Sequence, residues 1–218
     1  LSLRGQGNST RPSKNNPQDM TIRALATDVI QWIEANSWEK VHVVACSMGG
    51  VVALEILKQN SQLLKSLIIF GTTPKLYFPK PVIRMAASIT DLFLPMLFPT
   101  WMAKTLPKST TDKPEAQQRF TQDLLVAYTQ RRTIYQLRCE LAQYDYTDTI
   151  RTSPIPLLML QGEKDTAINK EIEKLWPVIK ENPLVSRKLL TDAGHIANYY
   201  QPEAFYQGML EFLKGQAV

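Results

Sequence analysis

The short run Val41-His42-Val43-Val44-Ala45-Cys46 stops at Ser47-Met48-Gly49-Gly50, after which Val51 to Gln59 reads as a helix. A β-branched, apolar run without alternation suits a strand covered on both faces, as in a parallel sheet. Other segments repeat the rhythm. Ile22, Leu25, Ala26, Val29, Ile30 and Ile33 lie on one stripe of an amphipathic helix. Leu67 to Phe70, ending at Gly71, residues 155–161 and Val185 to Leu190 are further strand candidates. A last helix is bounded by Pro202 and Gly215, the expected asymmetry of proline at the start and glycine at the end. Strand and helix in alternation predict an α/β fold with a mostly parallel sheet.

Some segments fall outside that rhythm. Residues 1–9, Leu-Ser-Leu-Arg-Gly-Gln-Gly-Asn-Ser, read as a strand end running into a loop, and Thr10 to Asp19, with Pro12 and Pro17, as a polar surface loop. Residues 74–152 are punctuated by prolines, and their apolar residues recur at helical spacing; Met, Leu, Phe and Ala dominate between Val82 and Leu106, with Trp101. This is a helical insertion between two sheet strands, and its apolar stripe is expected to pack as core.

Composition removes several function classes. A chain of 218 residues, 44% apolar, suits one globular domain with an insertion rather than disorder. The net charge is +5, but the basic residues are scattered, the densest group being Arg131-Arg132 followed by Arg138, so no nucleic-acid partner is expected. No uncharged apolar run approaches the roughly 18 residues that span a bilayer. Cys46 and Cys139 cannot form a disulfide scaffold, and nothing at the start resembles a signal peptide; reduced thiols point to a cytoplasmic protein. With His42 and His195 the only histidines, a three-His metal site is impossible, and a catalytic base has two candidates.

The chemistry concentrates at Ala45-Cys46-Ser47-Met48-Gly49. A serine on a tight strand-to-helix turn needs small residues two before and two after it, here Ala45 and Gly49, with Gly50 adding clearance. The helix that begins after Ser47 aims backbone N–H groups at the site, so the Met48 N–H is the candidate oxyanion donor. A serine hydroxyl needs a base to take its proton. His42 lies inside the strand, unable to reach forward around the turn, and reads as a hydrogen-bonded histidine beside the sheet. His195, in Asp192-Ala193-Gly194-His195, follows a strand and is the base. Asp165 sits just beyond the strand ending near Gln161, at the end where open α/β sheets place their sites, and is the group expected to hold the imidazole. Its rivals are Glu163, one turn closer to the strand, and Asp192, too near in sequence to reach the ring easily from the side opposite the serine; Asp145 and Asp148 read as surface groups.

In these residues the chain resembles the α/β-hydrolase fold superfamily, in its group with a helical cap inserted into the sheet. The order Ser47, Asp165, His195 is the one that superfamily uses. The matching segments are Leu-Arg-Gly-Gln-Gly-Asn-Ser at 3–9, the elbow at 45–49, Gly-Glu-Lys-Asp at 162–165 and Ala-Gly-His at 193–195. The resemblance implies core residues 1–73 and 153–218, with a cap at 74–152. Ala45 stands where the family usually has Gly, and Gln6 where its Arg-Gly loop usually has His. Members also carry further strands before that loop, with a turn that supplies a second oxyanion donor. A sheet without its N-terminal strands and without that donor is therefore expected.

The function the resemblance implies is a serine hydrolase, of carboxylesterase or lipase type, that cleaves an ester or thioester of a small or lipid-like substrate; the Met- and Phe-rich segment from Met85 to Met102 points to an apolar acyl pocket, with ordinary cap packing as the alternative. Acyl transfer and perhydrolysis use the same triad, and a non-catalytic binding protein on this fold is the different-class alternative. No cofactor and no metal are implied, and no dinucleotide fingerprint is present.

Overall fold

The computed structural model describes residues 1–6, 9, 20–111 and 113–215, with backbone alone at 109, 110 and 130. In chain order the elements are α1 (Ile22–Ala35), β1 (Val41–Cys46), α2 (Met48–Asn60), β2 (Leu64–Phe70), β3 (Lys75–Tyr77), α3 (Lys80–Ala87), α4 (Leu94–Leu97), α5 (Pro99–Thr110), α6 (Pro114–Ala127), α7 (Arg131–Leu141), β4 (Gln143–Asp145), α8 (Thr147–Arg151), β5 (Leu157–Gly162), α9 (Thr166–Ile179), β6 (Val185–Leu190), α10 (Ala197–Tyr200) and α11 (Pro202–Lys214). The chain forms two compact units, one of Val29–Leu76 with Asp145–Val218 and one of Leu1–Asp28 with Tyr77–Tyr144.

The first of these units carries a four-stranded sheet in the order β1-β2-β5-β6. Every neighbouring pair runs parallel, with Ala45 opposite Ile69, Ile69 opposite Met159 and Met159 opposite Arg187. The fold is thus α/β with a mostly parallel sheet, as the alternation predicts. On one sheet face Ile68, Phe70, Leu158, Leu160 and Leu190 form a core with Ala193, Ala197 and Phe205. The rings of Phe70 and Phe205 meet edge to face, 4.8 Å between centroids. Leu67, Ile69, Leu157 and Met159 alternate onto the opposite face and are fully buried. The helix α2 packs on β1 and β2, and α11 on β5 and β6.

β1 differs from the expectation of a strand covered on both faces. Its residues alternate between partly covered and exposed, and Val44 is 43% exposed. β1 is the outermost strand of this sheet, and α2 covers the face that His42 and Val44 do not share. His42 Nδ1 lies 2.7 Å from Ser66 Oγ on the neighbouring strand, which is the structural role read for it. At the start, Leu1 to Gln6 form a turn, with the Gln6 N–H on the Leu3 carbonyl, rather than a strand end. The loop expected over Thr10 to Asp19 lies outside the described residues.

The second unit is helical. Proline stands in the first turn of α3, α4, α5 and α6, where its missing N–H costs nothing. A single wide turn, Ser88–Phe93, joins α3 to α4 and holds Asp91, which is buried and ion-paired to Arg138 of α7. Met102, Ala103 and Tyr128 pack with Leu94, Leu106, Leu124 and Ile134. The apolar stripe expected to be core divides. Ala87, Pro95, Met102 and Ala103 are buried, whereas Val82, Met85, Ile89, Phe93, Met96 and Trp101 are exposed, Met85 by 65%. Helical spacing places residues on a common face without saying which face the solvent meets.

Two three-residue strands, β3 and β4, pair in a small sheet of their own, a feature too short to register in the sequence pattern. Among the described residues, no helix is long and apolar enough to cross a membrane.

Candidate active site

All three residues expected to carry chemistry lie in the sheet-bearing unit. β1 ends at Cys46, and Ser47 follows at φ 51°, ψ −121°, a left-handed backbone that a side chain rarely adopts. Strain of this kind persists only where the surroundings fix it. Here the Ser47 N–H donates to the Phe70 carbonyl at 2.9 Å, while the Ser47 carbonyl accepts from the Gly50 N–H at 2.9 Å and from Thr72 Oγ1 at 2.8 Å. The Ser47 side chain makes no capping bond to α2. Its hydroxyl instead lies 3.1 Å from His195 Nε2.

Of the two glycines read in the sequence as leaving room at this turn, Gly50 rather than Gly49 is the one the packing requires. A Cβ on Gly49 would lie 3.9 Å from that of Ala45, ordinary contact. On Gly50 it would stand 2.1 Å from Thr72 Oγ1 and 2.8 Å from Thr72 Cβ. The close approach is therefore between α2 and the segment leaving β2.

His195 arrives on the loop after β6. Asp192 turns it with φ 60°, and the Lys164 N–H donates to the Ala193 carbonyl at 2.8 Å. His195 Nδ1 lies 2.8 Å from Asp165 Oδ2, with the aspartate side chain 10% exposed. A carboxylate only accepts, so Nδ1 carries the proton and Nε2 is left to accept from the Ser47 hydroxyl. Asp165 stands directly before α9, whose N-terminal dipole favours its negative charge. Cys46, next to the serine, has its thiol pushed up to about 12 by burial, with the Asp165 charge adding to the effect; it stays protonated and is no competing nucleophile.

The rivals to Asp165 are engaged elsewhere. Glu163 Oε2 accepts from the Asp192 N–H at 3.2 Å, and Asp192 pairs with Lys164 at 3.1 Å. Asp145 pairs with Lys75 at 2.7 Å, and Asp148 with Arg151 at 3.1 Å. Met48 is the first residue of α2, directly after the serine. Among the described residues no cluster of three or more His, Cys, Asp or Glu has the arrangement to hold a metal ion.

Gly162 joins the acid's strand to the histidine's loop. A Cβ there would stand 2.2 Å from the Gly194 carbonyl oxygen and 2.5 Å from that of Ala193, both backbone atoms. Gly162→Ala is therefore expected to lower stability by about 1–3 kcal/mol and to slow turnover by displacing His195. A urea midpoint and a kcat from one preparation check it; a midpoint equal to wild type would contradict this packing.

Residues 1–195 match the model of the serine aminopeptidase S33 hydrolases. The chain belongs to that family. It is an α/β hydrolase, and the neighbours of this S33 chain are consistent with that. RutD of Pseudomonas savastanoi pv. phaseolicola, provisionally named a carbamate hydrolase, is 23% identical over 92% of this chain and 78% of its own. A thermophilic esterase from Thermogutta terrifontis superposes with a TM-score of 0.79 at 25% identity, covering 99% of this chain and 79% of that one. The enol-lactonase of Burkholderia xenovorans LB400 shares the fold, with a TM-score of 0.77 at 19% identity over 97% of this chain and 78% of that one.

Proposed function

We propose that the protein is a serine hydrolase that cleaves a carboxylic ester or thioester of a small or lipid-like substrate through an acyl-enzyme on Ser47. The observation that carries this reading is the unbroken line from Asp165 Oδ2 to His195 Nδ1 and from His195 Nε2 to Ser47 Oγ, at 2.8 and 3.1 Å. Ser47 Oγ attacks the acyl carbon while its proton passes to His195 Nε2. The oxyanion is held by the Met48 N–H at the start of α2. The tetrahedral adduct collapses, and His195 returns the proton to the departing alcohol or thiol. Water then enters, gives its proton to His195 and releases the acid, with Asp165 stabilising the imidazolium at both stages. Residues 74–152 are assigned to a cap insertion and residues 1–73 and 153–218 to the core; a compact unit that holds residues 77–144 supports the cap's extent, although residues 1–28 cluster with that unit rather than with the core.

A fluorophosphonate probe tests the chemistry directly. Labelling should fall on Ser47, located by mass spectrometry of the peptide, and should vanish in Ser47→Ala and drop sharply in His195→Ala. Label retained by Ser47→Ala, or none on the folded wild type, would overturn the assignment. p-Nitrophenyl esters of increasing chain length, beside an aryl carbamate, then separate the substrate classes suggested by the esterase, the lactonase and RutD.

A further inference from the structure

Gln161 is the one long polar side chain in the otherwise apolar strand β5, and it is fully buried. Burying a primary amide is costly unless its groups are paired. Its Oε1 accepts from the Gly71 N–H at 2.8 Å, and its Nε2 donates to the Thr72 carbonyl at 3.3 Å. The ladder between β2 and β5 has its last pair at Ile69 and Met159, two residues before this point on each strand. The Gln161 side chain therefore continues, from a side chain, the backbone pairing that the parallel ladder abandons.

The clamped segment touches the ring of His195 and the backbone of Ser47. Gly71, at φ 59°, lies so close to His195 that a Cβ would stand 2.9 Å from the histidine carbonyl oxygen and 3.0 Å from Cε1 of its ring. Thr72 Oγ1 donates to the Ser47 carbonyl at 2.8 Å and reaches the Phe70 carbonyl at 3.1 Å. Phe70 in turn accepts the Ser47 N–H. On the other side of Gln161, Gly162 opens the turn that leads to Asp165, whose N–H donates to the Gly162 carbonyl at 3.1 Å.

We propose that Gln161 is a positioning residue, whose amide sets the separation of Ser47 and His195 by holding Gly71 against the imidazole and Thr72 against the elbow. It touches no substrate and moves no proton. The inference rests on the Ser47–His195–Asp165 reading for its kinetic consequence, but its structural consequence can be read on His195 alone.

The test uses Gln161→Met and Gln161→Glu. In Gln161→Met both polar partners are left unpaired, and kcat is expected to fall about tenfold to a hundredfold with KM within about twofold, as misplacement of reacting groups predicts. The fluorophosphonate labelling rate should fall in step. With two histidines in the chain, and His42 identified through His42→Gln, the His195 Nδ1 proton is resolvable by nuclear magnetic resonance and should shift or broaden. In Gln161→Glu the protonated carboxyl keeps both an acceptor for Gly71 and a donor for Thr72, while the ionised form loses the donor. Its activity, taken as a ratio to wild type so that the titration of His195 and Asp165 cancels, should fall as pH rises. A residue with a merely structural role would lower the unfolding midpoint and leave that ratio flat. Unchanged kcat and an unchanged His195 signal in folded Gln161→Met, or a pH-independent ratio in Gln161→Glu, would overturn the proposal. Wild type that fails to label on Ser47 would instead defeat the hydrolase reading, and the His195 signal would then decide the clamp.

Discussion

Ser47→Ala is expected to reduce kcat for an activated ester by about 10⁶-fold, with the protein folded and its melting temperature close to wild type. Ser47 is half-buried and its hydroxyl makes a single bond, to His195 Nε2. Removing one oxygen therefore leaves no buried donor or acceptor stranded among backbone groups, and the φ of 51° is retained by the hydrogen bonds that anchor its peptide. His195→Ala should cost nearly as much, because an unassisted serine is a poor nucleophile near neutral pH. The decisive measurement is the double variant. Groups that act as a unit are not additive, so Ser47→Ala/His195→Ala should be no slower than either single variant within about tenfold. Losses that multiply would mean that the two side chains work in separate steps, and the single-line mechanism would have to be given up.

For Asp165→Asn the expected loss is about 10⁴-fold in kcat, with KM little changed. The amide has nearly the shape of the carboxylate and remains beside His195 Nδ1, 2.8 Å away in the native protein. Two things change. The negative charge that stabilises the imidazolium is gone, and an amide N–H facing Nδ1 selects the tautomer in which Nε2 bears the proton and is unable to accept one from Ser47. Asp192→Asn and Glu163→Gln provide the contrast. Asp192 is exposed and paired to Lys164, and Glu163 holds only the Asp192 N–H, so both should stay within about tenfold of wild type. Steady-state kinetics on the three variants rank the carboxylates; an Asp192→Asn enzyme as slow as Asp165→Asn would reassign the acid.

The sheet was legible because its strands are chemically plain. Val41–Cys46 and Val185–Leu190 have in the structure the bounds that their runs suggest. Ser47 could be singled out as a candidate because a parallel sheet has few ways to turn a strand sharply into a helix, and His195 because the chain offers only two histidines. Other features depend on distances between remote segments, which no local pattern encodes. The crowding at Gly50 comes from Thr72, and the fully buried Gln161 finds its partners only in Gly71 and Thr72, beyond the end of β2. Its one trace in the sequence is a polar residue amid apolar neighbours, ahead of Gly162. The exposed row from Val82 to Trp101 shows the same limit, since periodicity defines a face and tertiary contacts decide its fate.

The short strands β3 and β4 carry a consequence for how such a chain diversifies. The Phe78 N–H reaches the Ala142 carbonyl, the Tyr146 N–H reaches the Pro74 carbonyl, and Lys75 is bridged to Asp145, so the two strands run in opposite directions. The chain therefore departs from β2 and comes back towards β5 through a closed neck. Once a neck is fixed, the entropy of lengthening or shortening the segment that hangs from it grows only as the logarithm of its length. The bonds that close the neck lie at residues 74–78 and 142–146, so a change of length between residues 79 and 141 leaves them in place.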